Sequence, residues 1–298
     1  MSLSLNATRL LVGLRPSMLS SAEALRRGVA NPPRPAPVPA SLRRRCTVSI
    51  EKIAGFDVVT LVPHGAAHSG RHVLYFHGGA YVSPLITPHW WLLSALLDRT
   101  PAALSIPLYP RAPEYVVDDA LSFLDAAVPS LTDRYEGRLV YAGDSAGGGL
   151  ALAQAIRQRD GAPGRTPDAL VLFAPWVDVT MTNEGIAPLE RRDSMLFPEQ
   201  LRQCGAWWAG RRSSTDPLVS PLYANLSGLP PMWSFVGDHD LLLPDVVELR
   251  ERVVASGGSC QLTVARGGFH VYVGAPWTPE ARRAIDIAAS VVGGNTTR

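Results

Sequence analysis

Two hydrophobic periods take turns along this chain. From residue 46 onward, short apolar runs closed by glycine, proline or polar residues alternate with longer stretches in which apolar residues recur every three or four positions. The first segment, CTVSIEKIAGFDVVTLVP, predicts two strands around a turn at Ala54–Gly55. Strands are then predicted in RHVLYFHGG, AALSIPLYP, RLVYAGDS, DALVLFAPWVDV, PPMWSFVGD and CQLTVARGG. Between and after them, helices are predicted in PHWWLLSALLDRT, VVDDALSFLDAAVPSL, AGGGLALAQAIRQRDG, LPDVVELRERVVASGG and TPEARRAIDIAASVVGG. Strand followed by helix, repeated, implies an α/β fold: a mostly parallel sheet with helices on both faces.

Two regions break the alternation. Residues 1–40 begin with a partly apolar stretch interrupted by Arg9 and Arg15, too short and too charged for a signal peptide or a membrane span. An amphipathic segment that packs on the domain is the expectation, with contact to a membrane surface as the alternative. Ser20 and Glu23 are spaced as a capping box, and Gly28 reads as a helix stop. Five prolines in residues 31–41 then forbid a helix or a central strand and predict a stiff extended strap. The second irregular region, residues 181–215, is too long for an ordinary connection and holds a helix near 198–210. The expected organisation is an N-terminal cap piece with strap (1–40), a core (41–180 and 216–298) and a cap insertion (181–215).

Composition changes this picture little. Of 298 residues, 46% are hydrophobic, enough for a large core, and the net charge of +2 comes from scattered basic residues with no nucleic-acid footprint. Cys46, Cys204 and Cys260 are far apart and odd in number, which fits neither a disulfide framework nor a metal site and favours a reducing cytoplasm.

The chemistry gathers around YAGDSAGGGL, residues 141–150. Gly143-Asp144-Ser145-Ala146-Gly147 is a G-x-S-x-G sequence that ends a predicted strand and opens a predicted helix. In that setting a sharp turn raises the Ser145 hydroxyl above the sheet, glycines at either side avoid collision, and the helix amide end favours developing negative charge. The glycines of His77-Gly78-Gly79-Ala80 let backbone N–H groups approach an oxyanion, and the N–H of Ala146 would complete the hole. A serine needs a base. Among seven histidines, His64, His68 and His72 lie near an early polar loop, His77 belongs to the glycine turn, His89 begins a helix and His239 sits between aspartates. His270 follows the last predicted strand, in the order serine, acid, histidine. For the acid, Asp245 reads as an early helix charge, while Asp238 and Asp240 are not separated by local chemistry.

Several blocks together resemble the hormone-sensitive-lipase-like esterases of the α/β-hydrolase fold: HGGA (77–80), YPRAPE (109–114), GDSAGG (143–148), DPLVSPLYANLSGLPP (216–231), GDHDLLLPD (237–245) and GGFH (267–270). The resemblance implies Ser145 as nucleophile and His270 as base. It favours Asp240 as acid, because the family's acid precedes an apolar residue and a leucine, as in Asp240-Leu241-Leu242. It also implies Gly78, Gly79 and Ala146 as oxyanion donors, and a helical cap. Two departures stand out: Ala80 replaces the third glycine, and Tyr109-Pro110-Arg111 replaces a tyrosine–arginine pair. Trp90, Trp91, Trp207 and Trp208 are candidates to line a substrate pocket, with core or cap packing as the alternative. The implied activity is hydrolysis of short or compact acyl esters through an acyl-enzyme, with no metal or cofactor. The implied partner is a small-molecule ester, with no nucleic acid and no stable membrane insertion, and a homodimer is left open. Lactone hydrolysis or N-deacetylation by the same triad is the near alternative. A non-catalytic small-molecule receptor is the far one, disfavoured by the presence of His270.

Overall fold

The computed structural model describes residues 1–15, 17–64 and 70–295. The predicted hairpin forms from β1 (Cys46–Ile53) and β2 (Phe56–Pro63), with Ala54 and Gly55 at φ 45° and 88° in the turn. Six shorter strands follow: β3 (His72–Phe76), β4 (Ala103–Pro107), β5 (Leu139–Asp144), β6 (Ala169–Phe173), β7 (Met232–Gly237) and β8 (Cys260–Ala265). Their order in one sheet is β1-β2-β4-β3-β5-β6-β7-β8. β2 is antiparallel to both its neighbours, and all pairings from β4 to β8 are parallel.

The apolar runs explain the layers. Strands β3 to β7 are buried on both faces, and their alternate residues divide between two cores. Leu74, Phe76, Tyr141 and Leu172 face α5 (Val117–Thr132), α6 (Ala146–Arg159) and α8 (Leu243–Ala255). Val73, Tyr75, Val140 and Phe173 face α4 (Thr87–Leu97) and α9 (Pro279–Gly293). The mostly parallel sheet with helices on both faces is what the strand–helix alternation implies, and the whole is the α/β-hydrolase architecture that the family resemblance implies. Because the parallel strands end in register, with Phe76 opposite Gly143 and Gly237 opposite Ala265, the loops carrying His77–Ala80, Ser145, Asp238–Asp240 and His270 all leave the same edge of the sheet.

The N-terminal piece forms α1 (Leu3–Gly13), α2 (Ala22–Ala30) and, after the strap, a short α3 (Ala40–Arg43) that the sequence pattern does not announce. The capping serine of α2 is Ser21, whose Oγ accepts the Ala24 N–H, while Ser20 bonds back to Ser17. Nor does Gly28 end the helix. A Cβ there would stand 2.9 Å from Met18 Cε, so the glycine makes room for Met18 instead. In the strap, Ala36 donates its N–H to Leu85 O and accepts from the Trp90 indole. α1 docks on the start of α9 through Ser2, bonded to the Glu280 carboxylate, and Thr8, bonded to the Trp277 indole.

The 181–215 segment contains a 3-10 turn at Ala187–Leu189 and α7 (Pro198–Ala209), the predicted helix. His72 opens β3, within the predicted strand, and is buried with its ring 2.9 Å from Ser105 Oγ. His68 lies outside the described residues.

Candidate active site

Ser145 occupies the turn between β5 and α6 at φ 51°, ψ −125°, a conformation unfavourable for a residue with a Cβ and held by the surrounding bonds. Its N–H donates to Phe173 O, and its own carbonyl accepts from Gly148, Gly149 and Trp176. The flanking glycines are steric requirements. A Cβ on Gly143 would lie 2.4 Å from Gly147 O, and one on Gly147 would lie 2.1 Å from Phe76 O. The Ser145 hydroxyl is thereby fixed over the N-terminus of α6, where the helix dipole is positive.

Two histidine–carboxylate pairs flank this serine. His270 Nε2 lies 2.8 Å from Ser145 Oγ, and its Nδ1 lies 2.9 Å from Asp240 Oδ2. Asp240 is fully buried and its other oxygen accepts the Leu242 N–H. With a carboxylate at Nδ1, the proton sits on that nitrogen and Nε2 is left as the acceptor facing the serine. Burial alone would lower the His270 pKa. The charge and hydrogen bond of Asp240, with smaller contributions from Asp193 and Asp144, outweigh it and hold the pKa above the ordinary histidine value. Asp238, the alternative acid, instead accepts from the Gly267 N–H and pairs with its own neighbour His239. Asp245 lies in the first turn of α8, as expected, and accepts from Asn183 Nδ2, with burial pushing its pKa up to about 7.

The second pair, which sequence reasoning missed, is His89 and Asp144. Asp144 Oδ1 accepts from the Tyr75 hydroxyl at 2.5 Å and the Gly78 N–H at 2.9 Å, and Oδ2 lies 3.2 Å from His89 Nε2. His89 Nδ1 accepts the Ile86 N–H at 2.8 Å, which leaves Nε2 as the nitrogen that donates to Asp144. Burial would raise the Asp144 pKa, but His89, Tyr75 and the Gly78 N–H more than offset it and hold the carboxyl below its usual range. His89 lies in the first turn of α4, at the helix start where the sequence places it. Nothing local marks its partner.

The pair also reaches the glycine turn at 77–80. The Gly78 N–H is committed to Asp144, whereas no hydrogen bond engages the N–H of Gly79 or of Ala146 among the described residues. Ala80, in the place of the third family glycine, is held at φ 52°. Neighbouring His77 donates Nδ1–H to Gly78 O, stacks on Tyr109 and is pulled by burial to a pKa of about 3, which excludes it as a charged group.

The four tryptophans have separate places. Trp90 is buried and bonded to the strap, and Trp91 is 37% exposed with its edge against Trp277. Trp207 is half-buried against the core. Trp208 is fully buried, its ring parallel to Tyr81 at 4.2 Å, which docks α7 on the residue following Ala80. A cavity of about 290 Å³ beneath the strap is lined by Val29, Pro35, Phe56, His77, Leu85 and Arg111 among others, and by none of these tryptophans. Arg111, displaced by one position from the family pattern, donates to Val82 O and braces the loop after the glycine turn.

Fold and site geometry together are those of an α/β hydrolase, and comparison with known proteins agrees. A family model described as the alpha/beta hydrolase fold matches residues 73–274. An acetyl-hydrolase of Streptomyces hygroscopicus is 34% identical over 229 residues, covering 76% of this chain and 76% of that protein. The crystal structure of EstE5 soaked with p-nitrophenyl butyrate superposes with a TM-score of 0.84 at 26% identity, covering 99% of both chains. That of EstE7, a hormone-sensitive lipase homologue from a metagenome library, gives 0.80 at 29% identity, again over 99% of both. The chain belongs to the α/β-hydrolase family and is a serine esterase of the hormone-sensitive-lipase-like branch. No described helix is long and apolar enough to cross a membrane.

Proposed function

We propose that Ser145, His270 and Asp240 form the catalytic triad of this esterase. The observation that carries the reading is the unbroken hydrogen-bond chain from Ser145 Oγ through both nitrogens of His270 to Asp240 Oδ2. His270 Nε2 takes the hydroxyl proton as Ser145 Oγ attacks the ester carbonyl. Asp240 holds the ring in the required tautomer and stabilises the imidazolium. The free N–H groups of Gly79 and Ala146 receive the oxyanion, each important donor contributing about 3–4 kcal/mol to the transition state. His270 then returns the proton to the leaving alcohol, and a water activated by the same nitrogen releases the acid.

The preferred substrates in this reading are esters of short or compact acyl groups. Residues 1–40 and 181–215 act together as the cap around the core of 41–180 and 216–298. Contacts at both ends support this. Ser83 Oγ, beyond the glycine turn, donates to Met18 Sδ, and a Cβ on Gly13 would stand 3.1 Å from Ser194 Cβ. The three cysteines, free and buried, fit a reducing, cytoplasmic setting. The test is a series of p-nitrophenyl esters of increasing acyl length, with lactones and N-acetyl compounds alongside, on wild type and Ser145→Ala. Loss of all turnover in the variant and a maximum at short esters support the proposal. A variant retaining a tenth of wild-type turnover, or preference for long chains, rejects it.

A further inference from the structure

The 181–215 segment does more than cover the core, because one of its carboxylates reaches the acid side of the site. Asp193 follows the 3-10 turn and is 7% exposed, although its neighbours Arg191 and Arg192 are in solvent. Its Oδ1 accepts the N–H groups of Met195 (2.8 Å) and Leu196 (3.0 Å). Its Oδ2 accepts the N–H of Leu241, 2.9 Å away and 48 residues distant in sequence. Leu241 is the residue after Asp240, whose own Oδ1 takes the N–H of Leu242. The two carboxylates therefore hold successive amides of one turn, Asp193 from the insertion and Asp240 from within.

We propose that Asp193 is a positioning residue of this esterase: it ties the 181–215 segment to the Asp240 turn and adds a second negative charge behind His270. The proposal rests on the triad reading above. Its chemical consequence is at Nε2. Transfer of the Ser145 proton makes an imidazolium, and a buried carboxylate near the Asp240–His270 pair favours that charged form. Among the described residues, the charged and titratable groups facing this locus are few. Asp240 comes from the turn after β7, His270 from the loop after β8, Asp144 from the end of β5 and Asp193 from the insertion. No ion pair among the described residues engages Asp193, so Arg191 and Arg192 do not cancel its charge. Burial and the charge of Asp240 raise the Asp193 pKa to about 6, with His270 acting in the opposite sense. While His270 is positive, Asp193 is therefore favoured in its ionised form.

The sign of the effect follows. The negative charge at Asp193 makes His270 easier to protonate, and protonated His270 in the free enzyme cannot act as base. Removing the charge lowers the His270 pKa and shifts the acid limb of kcat/KM to lower pH, even as loosening of the Asp240 turn lowers the plateau. The experiment compares kcat/KM against pH for wild type and Asp193→Asn on a short p-nitrophenyl ester. The rate of Ser145 phosphonylation by a fluorophosphonate, measured over the same pH range, is a second readout. Expected are an acid limb displaced by roughly half a unit or more to lower pH in both readouts and a plateau kcat reduced about tenfold with little change in KM. Asp193→Ser, shorter and still able to accept one amide, makes the same measurement where the Asn variant does not fold. Ser145→Ala and His270→Ala run in parallel. If they keep activity, the triad reading fails. If they are inactive but the Asp193 variants keep the wild-type acid limb, the triad stands and the role of Asp193 is refuted.

Discussion

His270 with Asp240 and His89 with Asp144 are both buried histidine–aspartate pairs, one bonded to Ser145 and the other built on its neighbour in the chain, yet they are wired in opposite ways. In the first pair Nδ1 faces the carboxylate and Nε2 faces a hydroxyl that can give up a proton. In the second, Nε2–H faces the carboxylate and Nδ1 is occupied by a backbone N–H that cannot. A histidine beside an aspartate is therefore not in itself a base. The partner of the remaining nitrogen decides whether the pair moves protons or holds structure. The His89 pair holds structure: through Asp144 it fixes the Gly78 N–H, and with it the turn that leaves the Gly79 N–H free. A third pair, Asp238 with His239, is half-exposed and bonded within its own loop.

The comparison can be broken by substitution. The largest expected effect is at the nucleophile. Ser145→Ala should fold normally and lose turnover by about 10⁴-fold or more, read as kcat on a short ester. Next is the choice of acid. Asp240→Asn should lower kcat about 10³- to 10⁴-fold through loss of the tautomer and charge, and Asp238→Asn only a few-fold. The activity left in Asp240→Asn should also have its acid limb at lower pH, since the charge that raises the His270 pKa is gone. A larger loss at Asp238 would reverse the assignment. His89→Ala should act mainly on stability. It strands Asp144 Oδ2 and the Ile86 N–H, a loss of about 1–3 kcal/mol visible in urea unfolding, with kcat reduced tenfold or less. The smallest effect is expected from Tyr75→Phe, which removes one of the donors to Asp144. About 1–2 kcal/mol of stability and a few-fold in kcat are expected, with no change in the pH profile.

The sheet was legible because strands buried on both faces read as unbroken apolar runs, as in ALVLF, and the helices between them keep their own period. Ser145 and His270 stood out because each lies just past a strand end in a glycine-marked loop. Asp238 and Asp240 could not be separated locally. They share one turn, and what distinguishes them is a ring 30 residues further on. The sequence assigns Asp144 no role within G-x-S-x-G, because its partners, Tyr75, Gly78 and His89, are brought to it by β3 and α4. Asp193 was hidden for the same reason. The tryptophans were visible as large apolar groups, but composition does not say which neighbour each will meet. Trp90 reaches the strap, Trp91 reaches Trp277, and Trp208 reaches Tyr81.

The most direct test of the contrast between the two pairs is the rate at which a fluorophosphonate labels Ser145 in His270→Ala and in His89→Ala, with the labelled residue located by peptide mass. The account predicts rapid stoichiometric labelling of Ser145 in wild type, a rate about 10³-fold lower or less in His270→Ala, and a rate within tenfold of wild type in folded His89→Ala. Equal slowing in the two variants, or label on a serine other than Ser145, would contradict it.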